Sequence, residues 1–258
     1  MRTKLSVNLN KVALIRNSRE TTIPSVIEAA KIAVCAGADG ITVHPRPDMR
    51  HIRPEDVYAL SELLGQDQYE NIELNIEGNP YAGPQTNGFP GFMELVRQAS
   101  PAQCTLVPDE PKQLTSDHGW DLKINSERLS PIVSLLHERN IRVSLFVDPD
   151  EESVEMAKAL GSDRVELYTG PYASSYESPD RIKILNCFSR VTKFAHSLAL
   201  GVNAGHDLNV KNLAEFCNSV VPLQEVSIGH AIISDALWLG LEETINRYMR
   251  ILNQLAPP

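Results

Sequence analysis

Short apolar runs alternate along the chain with segments whose apolar residues recur at helical spacing. The runs, each of a length typical of a buried strand, cover residues 5–7, 41–43, 72–76, 104–107, 143–147, 165–167, 200–202 and 226–228. Helical spacing is clearest over residues 129–136 and 185–198, and a last helix is predicted over residues 232–255. Eight strands separated by seven helices predict a (β/α)8 TIM barrel, an α/β fold of about 250 residues. An open doubly wound sheet is the alternative, although no GxGxxG motif follows the first strand.

Two connections are too long to be plain turns. Residues 78–91, after the third strand, are rich in Gly, Pro and Asn, and residues 108–125, after the fourth, are polar. Extended loops on a compact barrel are usually lids or assembly contacts, and loops that follow strands lie at the catalytic end. No linker, charge block or low-complexity tract divides the chain, so we expect a single barrel domain over residues 1–258.

Composition narrows the class of protein. The chain is 42% hydrophobic and 22% charged, which fits a soluble globular protein. Its net charge of −9 argues against a nucleic-acid binder or a protein held on an anionic membrane. No apolar run approaches the ~20 residues of a transmembrane helix. Four scattered cysteines, Cys35, Cys104, Cys187 and Cys217, predict reduced thiols and a cytoplasmic location.

Polar residues stand at the end of nearly every predicted strand. In chain order they are Asn8, Asn10, Lys11, His44, Arg46, Glu77, Asp109, Glu110, Asp148, Glu166, Thr169, Asn203, His206 and His230. In this fold the carboxyl ends of the strands and the loops that follow them form the catalytic cup. Any one of these residues has a structural explanation, but their shared position predicts an active site.

Two glycine–histidine pairs, Gly205-His206 and Gly229-His230, follow the seventh and eighth strands. Barrels commonly bind phosphate there, because glycine lets backbone amides approach the anion and a following helix adds its N-terminal amides. The alternative is that the glycines serve only their turns. Their occurrence together at these two strands favours a phosphate site.

A second cationic group comes from the first two loops. Its members are Lys11, Arg16, Arg19, Arg46, Arg50 and His51. Arginine can hold a phosphate through two parallel N–H bonds. For Arg16 and Arg50 a salt-bridged surface is the alternative, since acidic residues lie nearby. Two cationic poles predict a ligand, or two ligands, with phosphate at both ends.

Four residues remain as candidates for proton transfer: His44, Glu77, Glu166 and His206. A partly buried Glu tends to have a raised pKa and His titrates near neutrality, so this set could move several protons. For Glu166, which lies within an apolar run, the alternative is a carboxylate paired inside the barrel.

Two other chemistries stay open at this stage. His44, Glu77, His206 and His230 could converge on zinc, although the chain has no paired-ligand motif and no HxH on its first strand. Lys11 could form a Schiff base with a ketose phosphate, which its place in the first loop makes a weaker hypothesis. A zinc-dependent lyase or hydrolase, or a non-catalytic barrel that binds phosphate ligands, is therefore the alternative to a metal-independent enzyme.

Ordered motifs from residue 5 to about residue 250 resemble the pyridoxine 5′-phosphate synthase family. They include AGADGITVH at 36–44, NIE at 75–77, VSLFVD at 143–148, VNAGH at 202–206 and IGHAII at 228–233. The resemblance implies a (β/α)8 barrel that works in vitamin B6 biosynthesis. It implies condensation of 1-deoxy-D-xylulose 5-phosphate with 3-amino-2-oxopropyl phosphate to pyridoxine 5′-phosphate, phosphate and water, with no metal or other cofactor. We expect residues 108–125 to act as a lid that keeps water from an imine intermediate.

The same resemblance implies roles for individual residues. His44 and Glu77 would accept protons, His206 would donate one, and Glu166 would stabilise charge. The residues implied in substrate binding are Asn8, Arg19, Gly229 and His230 for the amino-ketone phosphate, and Arg46, His51 and Thr115 for the sugar phosphate. Family members form homo-oligomers, so the resemblance also implies self-association, as an octamer, and no nucleic-acid or membrane partner.

Two positions depart from the family pattern. Asn10-Lys11 stands where familiar members have Asp-His, and we expect Lys11 to supply positive charge for the sugar phosphate. Asp207 stands where a Gly is familiar. Because a carboxylate near a phosphate would repel it, we expect Asp207 to face the ligand with its backbone N–H, or to cap the next helix.

Overall fold

The computed structural model describes residues 2–19 and 21–255 and contains eight parallel strands that close into a barrel in chain order. The strands are β1 (Lys4–Asn8), β2 (Gly40–Val43), β3 (Glu73–Gly78), β4 (Gln103–Leu106), β5 (Arg142–Val147), β6 (Arg164–Leu167), β7 (Gly201–Ala204) and β8 (Glu225–Ile228). β8 pairs back onto β1, with Val7 opposite Ile228. The predicted (β/α)8 barrel is confirmed. A single domain over 1–258 stays a prediction, and Met1, Glu20 and residues 256–258 lie outside the described residues.

Helices surround the barrel. They are α1 (Asn10–Asn17), α2 (Val26–Cys35), α3 (Pro54–Leu64), α4 (Phe92–Ala99), α5 (Leu122–His137), α6 (Glu151–Ala159), α7 (Gly170–Ser175), α8 (Arg181–Ser197), α9 (Leu213–Ser219), α10 (His230–Leu239) and α11 (Leu241–Gln254), with a 3-10 turn at Asp67–Tyr69. The connections after β1 and β6 hold two helices each instead of one. No described helix combines the length and apolar character that a membrane-spanning helix needs.

The prediction of one helix over residues 232–255 is wrong. The segment is broken at Gly240, which has a φ of +80° and lies between α10 and α11. A residue with a Cβ adopts this backbone conformation only with strain. Apolar residues continue at helical spacing on both sides of the break, so the pattern alone did not reveal it.

Strand alternation explains why polar residues gather at one end of the barrel. Ser6, Thr42 and Asn75 point inward and contact one another: the two hydroxyls lie 2.7 Å apart, and Asn75 Nδ2 lies 3.4 Å from Thr42 Oγ1. Because side chains alternate with a period of two, the residues two positions further along also point inward. Those positions are Asn8, His44 and Glu77. The strand geometry thus carries these side chains to the open end.

The opposite end of the barrel is filled by paired charges. Lys4 Nζ lies 3.0 Å from a carboxylate oxygen of Glu73, and Arg142 contacts the other oxygen of the same carboxylate. On the neighbouring strands, Arg164 donates to Asn203 at 3.2 Å and lies 3.9 Å from Glu225. These contacts join side chains from different strands and fill the amino-terminal end of the barrel.

Both extended loops are confirmed, with three of their four boundaries changed. The loop after β3 covers residues 79–91, and the loop after β4 covers residues 107–121, because α5 begins at Leu122 within the predicted loop. Trp120 anchors the end of the second loop: its Nε1 donates to the carbonyl of Leu106 at 2.9 Å, and its side chain is buried. We refer to residues 107–121 below as the β4 loop.

Candidate active site

A cavity of about 530 Å³ lies at the carboxyl end of the strands. Thirteen of the fourteen predicted site residues line it: Asn8, Asn10, Lys11, His44, Arg46, His51, Glu77, Thr115, Glu166, His206, Asp207, Gly229 and His230. Arg19, at the edge of the described range 2–19, is exposed and is not among the lining residues. Its role in binding stays a prediction that this arrangement does not support.

Glu77 is placed at the end of β3 beside the first strand. Its carboxylate accepts a hydrogen bond from Asn8 Nδ2 at 3.3 Å. Burial raises the pKa of Glu77 to about 7, with His206 opposing and Asp109 adding to the rise. A carboxyl group with this pKa can both take and release a proton near neutral pH.

His44 follows β2 and is held by the first loop. Its backbone N–H donates to Asn10 Oδ1 at 2.8 Å, and its side chain is only 6% exposed. Burial, together with the nearby Arg46 and His51, holds the pKa of His44 well below its ordinary value. His44 is therefore neutral at physiological pH and has a ring nitrogen able to accept a proton.

His206 follows β7 with both of its ring nitrogens in contact with side chains. Nδ1 lies 3.0 Å from the Asp207 carboxylate, and Nε2 lies 2.8 Å from the Thr115 hydroxyl in the β4 loop. Burial alone would lower the pKa of His206, but Asp207, with Glu77 and Asp109, raises it above the ordinary value. His206 therefore retains its proton more readily than a free histidine.

The structure differs from both expectations for Asp207. Its backbone N–H donates to Thr169 Oγ1 at 3.1 Å, so this amide is already paired. Its side chain contacts His206 and does not cap a helix; the residue before α9 is Asn212. The backbone N–H of Asp207 is therefore not available to bind a ligand.

Glu166 lies deep in the barrel with its side chain 4% exposed. Its Oε2 atom has no hydrogen-bond partner among the described residues. Burial, with the carboxyl groups of Glu77 and Glu225 nearby, raises the pKa of Glu166 well above its ordinary value. This arrangement favours a neutral acid at the floor of the cavity over a carboxylate paired inside the barrel.

One end of the cavity is cationic. Lys11, Arg46, Arg50 and His51 line it together. Arg46 forms an ion pair with the buried Asp109, and Arg46 and Arg50 each donate to the carbonyl of Gln113 at 3.1 Å. Burial and the charges of Arg46 and Arg50 lower the pKa of Lys11. Crowded like charges of this kind are relieved by a bound anion.

The salt-bridged alternative holds for Arg16 and only in part for Arg50. Arg16 is buried and donates to Asp56 at 2.8 Å, and it is not among the lining residues. Arg50 pairs with Asp48 at 2.6 Å yet also borders the cavity. His51 Nδ1 accepts from the N–H of Ile52 at 2.9 Å, so the ring proton is on Nε2.

The other end of the cavity is formed by the amino end of α10. Gly229 precedes this ten-residue helix, and Gly229, His230 and Ala231 all border the cavity. The first amides of a helix lack partners within the helix and attract anions. The predicted phosphate site after the eighth strand therefore has a matching geometry at the start of α10.

The four residues that were candidates for zinc all border the cavity, but they are not arranged as a ligand set. Within residues 2–19 and 21–255, no group of three or more His, Cys, Asp or Glu side chains is placed to hold a metal ion. The zinc hypothesis therefore gains no geometric support.

Comparison with known proteins identifies the family. A family model described as "Pyridoxal phosphate biosynthesis protein PdxJ" matches residues 5–254. The chain belongs to this family. Membership in the PdxJ family confirms the resemblance found in the strand-end motifs and the predicted place of this enzyme in vitamin B6 biosynthesis.

Relatives within the PdxJ family match along nearly their whole length. A "Pyridoxine 5'-phosphate synthase" from Xanthomonas campestris pv. campestris (strain B100) is 50% identical over 252 residues, covering 98% of this chain and 97% of the relative. Another with the same name, from Xylella fastidiosa (strain 9a5c), is 48% identical over 256 residues, covering 99% and 97%.

Solved structures of more distant proteins support the fold. Tryptophan synthase from M. tuberculosis has a TM-score of 0.65 at 14% identity, covering 97% of this chain and 93% of that one. Thiamine phosphate pyrophosphorylase from Pyrococcus furiosus has a TM-score of 0.61 at 11% identity, covering 99% and 97%. Likeness at this level of identity concerns the barrel and not its chemistry.

Several residues of this PdxJ-family site were not predicted. Ser116, Asn209 and Ser227 border the cavity, and Ser116 Oγ donates to Asp109 at 2.8 Å. Asp109 was recognised only as a polar residue after the fourth strand, whereas it is the partner of Arg46. Its position two residues beyond the apolar run was the only signal; serines and asparagines in loops carry none.

Proposed function

We propose that this protein condenses 1-deoxy-D-xylulose 5-phosphate with 3-amino-2-oxopropyl phosphate to form pyridoxine 5′-phosphate, phosphate and water. The observation that supports this most is one cavity whose wall carries two anion-attracting groups together with several proton-transferring side chains. Two phosphorylated substrates that exchange several protons need such a site. The name of the relatives and the family membership agree with the proposal.

The protonation states suit the roles that the resemblance implies. The amine attacks a ketone and water leaves to form an imine, so a proton acceptor and a proton donor are both needed. His44 is neutral and Glu77 has a pKa of about 7, so both can accept protons, while the raised pKa of His206 keeps a proton available for donation. Expulsion of phosphate from the sugar-derived part and ring closure use the same groups.

Each phosphate has its own end of the cavity. At the cationic end, Arg46, His51 and Lys11 would hold the sugar phosphate, with His51 donating from Nε2. At the other end, the amides at the start of α10, with His230, would hold the amino-ketone phosphate. Asn8 and Thr115, which contact Glu77 and His206, would meet the reacting carbons between these ends.

The β4 loop is proposed as a lid that keeps water from the imine. Arg46 and Arg50 tie its residues 109–113 to the cationic end of the cavity. A phosphate bound to Arg46 would compete with Asp109 for the guanidinium group, which would couple substrate binding to the position of the loop.

The experiment that tests this function mixes the purified protein with both substrates. We expect absorbance of the pyridoxine ring and released phosphate to rise together in a one-to-one ratio, and no signal when either substrate is omitted. Phosphate release with no ring product, or no reaction at all, would reject the proposal. Repeating the assay in excess chelator tests the metal-independent mechanism, since a zinc-dependent enzyme would lose activity.

Replacing Arg46 by Lys is expected to raise the KM for the sugar phosphate about tenfold, because lysine keeps the charge but cannot bind phosphate through two parallel N–H bonds. The KM for the amino-ketone phosphate should change less than about twofold, since that phosphate lies at the other end of the cavity. Steady-state kinetics with each substrate varied in turn measure both values. Equal increases for the two substrates would contradict the assignment of the ends.

Turnover is expected to fall as the pH drops below about 7. Glu77 must be ionised to accept a proton, and its pKa is raised to about 7 by burial. At higher pH the activity should fall again as His206, whose pKa is raised, loses the proton that it donates. The pH dependence of kcat between pH 5.5 and 9.5 checks this, and a rate that is flat from pH 6 to 8 would contradict the role of Glu77.

The homo-oligomer and the cytoplasmic location are part of the same proposal. Leu237 and Trp238, near the end of α10, are 69% and 86% exposed, and large adjacent apolar side chains on a surface favour self-association. Light scattering of the purified protein measures the number of copies, with the octamer as the expected result.

A further inference from the structure

The imidazole of His206 is held from both sides. Nδ1 lies 3.0 Å from Asp207 Oδ2, and Nε2 lies 2.8 Å from Thr115 Oγ1. A carboxylate accepts hydrogen bonds and does not donate them, so the proton is on Nδ1. Nε2 is therefore the nitrogen that faces the cavity and exchanges its proton with the reactants.

Asp207 is itself anchored by buried residues from two other segments. Its backbone N–H donates to Thr169 Oγ1 at 3.1 Å, and its carbonyl accepts from Asn212 Nδ2 at 3.4 Å. Thr169 follows β6 and is fully buried, and Asn212 precedes α9 and is 1% exposed. These contacts hold the backbone of Asp207 beside the imidazole of His206.

A direct role of Asp207 in substrate binding fits these contacts poorly. Its amide is already paired, and its carboxylate would repel a phosphate group. The carboxylate instead contacts His206. The pKa of His206 is raised, whereas the pKa values of His44 and His51 are lowered.

We propose that Asp207 is a positioning residue, which fixes the tautomer and orientation of His206 and stabilises its protonated form during proton donation. The proposal rests on the proposed function, because it assigns Asp207 to the donor of that reaction. The role of Asp207 goes beyond the proposed function, because a residue expected to contact substrate instead pairs with the imidazole of His206.

Other groups facing His206 do not replace Asp207. Glu77 from β3 and Asp109 from the β4 loop also favour the protonated ring, while burial opposes it, and His44 from β2 lies within electrostatic range. Tyr168 adds an aromatic edge with ring centroids 6.4 Å apart. Among the described residues, Asp207 is the only one whose carboxylate contacts a ring nitrogen of His206.

The test combines kinetics with histidine NMR. In Asp207→Asn, kcat should fall about tenfold with both KM values within about threefold, because proton donation is affected and binding is not. The alkaline limb of the kcat profile should move to lower pH, since the charge that stabilises the protonated ring is gone. Asp207→Glu keeps the charge and should restore the alkaline limb. Asp163→Asn, which removes the carboxylate of the exposed His137–Asp163 pair, is the matched control, because neither residue borders the cavity, and it should leave the titration of His206 unchanged.

A second measurement is made on the unmodified protein and needs no turnover. Nitrogen-15 NMR of labelled histidine, assigned by loss of one signal in His206→Gln, should show the neutral ring protonated at Nδ1. The opposite tautomer, or an unchanged titration of His206 in Asp207→Asn, would overturn the proposal. So would a rise in KM for one substrate with unchanged kcat, which would make Asp207 a substrate contact. Absence of product in the unmodified protein would reject the proposed function and leave the NMR result to decide the pair.

Discussion

Replacing Glu77 by Gln is expected to lower kcat about a thousandfold while both substrates still bind. The amide of Gln has nearly the shape of the carboxyl group but cannot accept a proton, and general base catalysis contributes about 10²–10⁴ in rate. Neither end of the cavity uses Glu77 to hold phosphate, so binding should change little. Formation of the pyridoxine ring measures kcat, and calorimetric titration with each substrate measures binding. Turnover within about tenfold of the unmodified enzyme would reject Glu77 as the base.

The same substitution is expected to stabilise the folded protein at alkaline pH. The pKa of Glu77 is raised from 4.5 to about 7 on folding, so the folded state binds its proton more tightly than the unfolded state does. Stability linked to this proton is fully present below about pH 4.5 and is lost as the pH rises through 7. A neutral Gln avoids the loss, which corresponds to at most about 3 kcal/mol.

Glu77→Gln should therefore raise the free energy of unfolding by about 2 kcal/mol at pH 8 and change it little at pH 4. Urea unfolding at the two pH values measures the difference. Glu62→Gln is the control, because Glu62 is exposed on α3 and should change stability by less than about 0.5 kcal/mol. A catalytic base that destabilises its own fold is a common compromise in active sites. Equal stability of both proteins at pH 8 would show that Glu77 is not strained by burial.

The fold was predictable because its strands and helices differ in the period of their apolar residues. The ends of two strands were predicted too early, because polar side chains occupy the inward positions there. β3 continues to Gly78 and β7 to Ala204, beyond the apolar runs that end at residues 76 and 202. Glu77 and Asn203 point into a polar barrel interior, so the hydrophobic pattern stops before the hydrogen-bonded strand does. The break at Gly240 depends on one backbone angle, which no apolar pattern encodes.

The residues of the candidate site were predictable for a topological reason. Parallel strands of a barrel all end on one face, so polar residues at strand ends must meet whatever their separation in sequence. Their partners were not predictable. Asp109 meets Arg46 across 63 positions, and Asp207 contacts His206 with its carboxylate and Thr169 with its backbone N–H. Which side chains pair with one another depends on how they pack, and the order of residues along one strand does not reveal this.

Gly205 is the position where one added methyl group should do the most damage. Its φ is +149°, a region that residues with a Cβ rarely adopt. A Cβ there would overlap the backbone carbonyl oxygen and nitrogen of Ser227, so the neighbouring β8 segment would have to shift. His206 directly follows Gly205, and Gly229 lies two residues after Ser227. A shift at this contact would therefore move both the proton donor and the second anion site.

Gly205→Ala is therefore expected to lower the free energy of unfolding by about 3 kcal/mol, from backbone strain and overpacking. A displacement of about 1 Å at the site should also lower kcat/KM about a hundredfold. Gly83→Ala is the matched control, because a Cβ at Gly83 meets no atom within 4 Å in the loop after β3. Thermal unfolding and steady-state kinetics of the two variants measure the effects. If Gly205→Ala retained the stability and activity of Gly83→Ala, the close approach of Gly205 to Ser227 of β8 would be wrong.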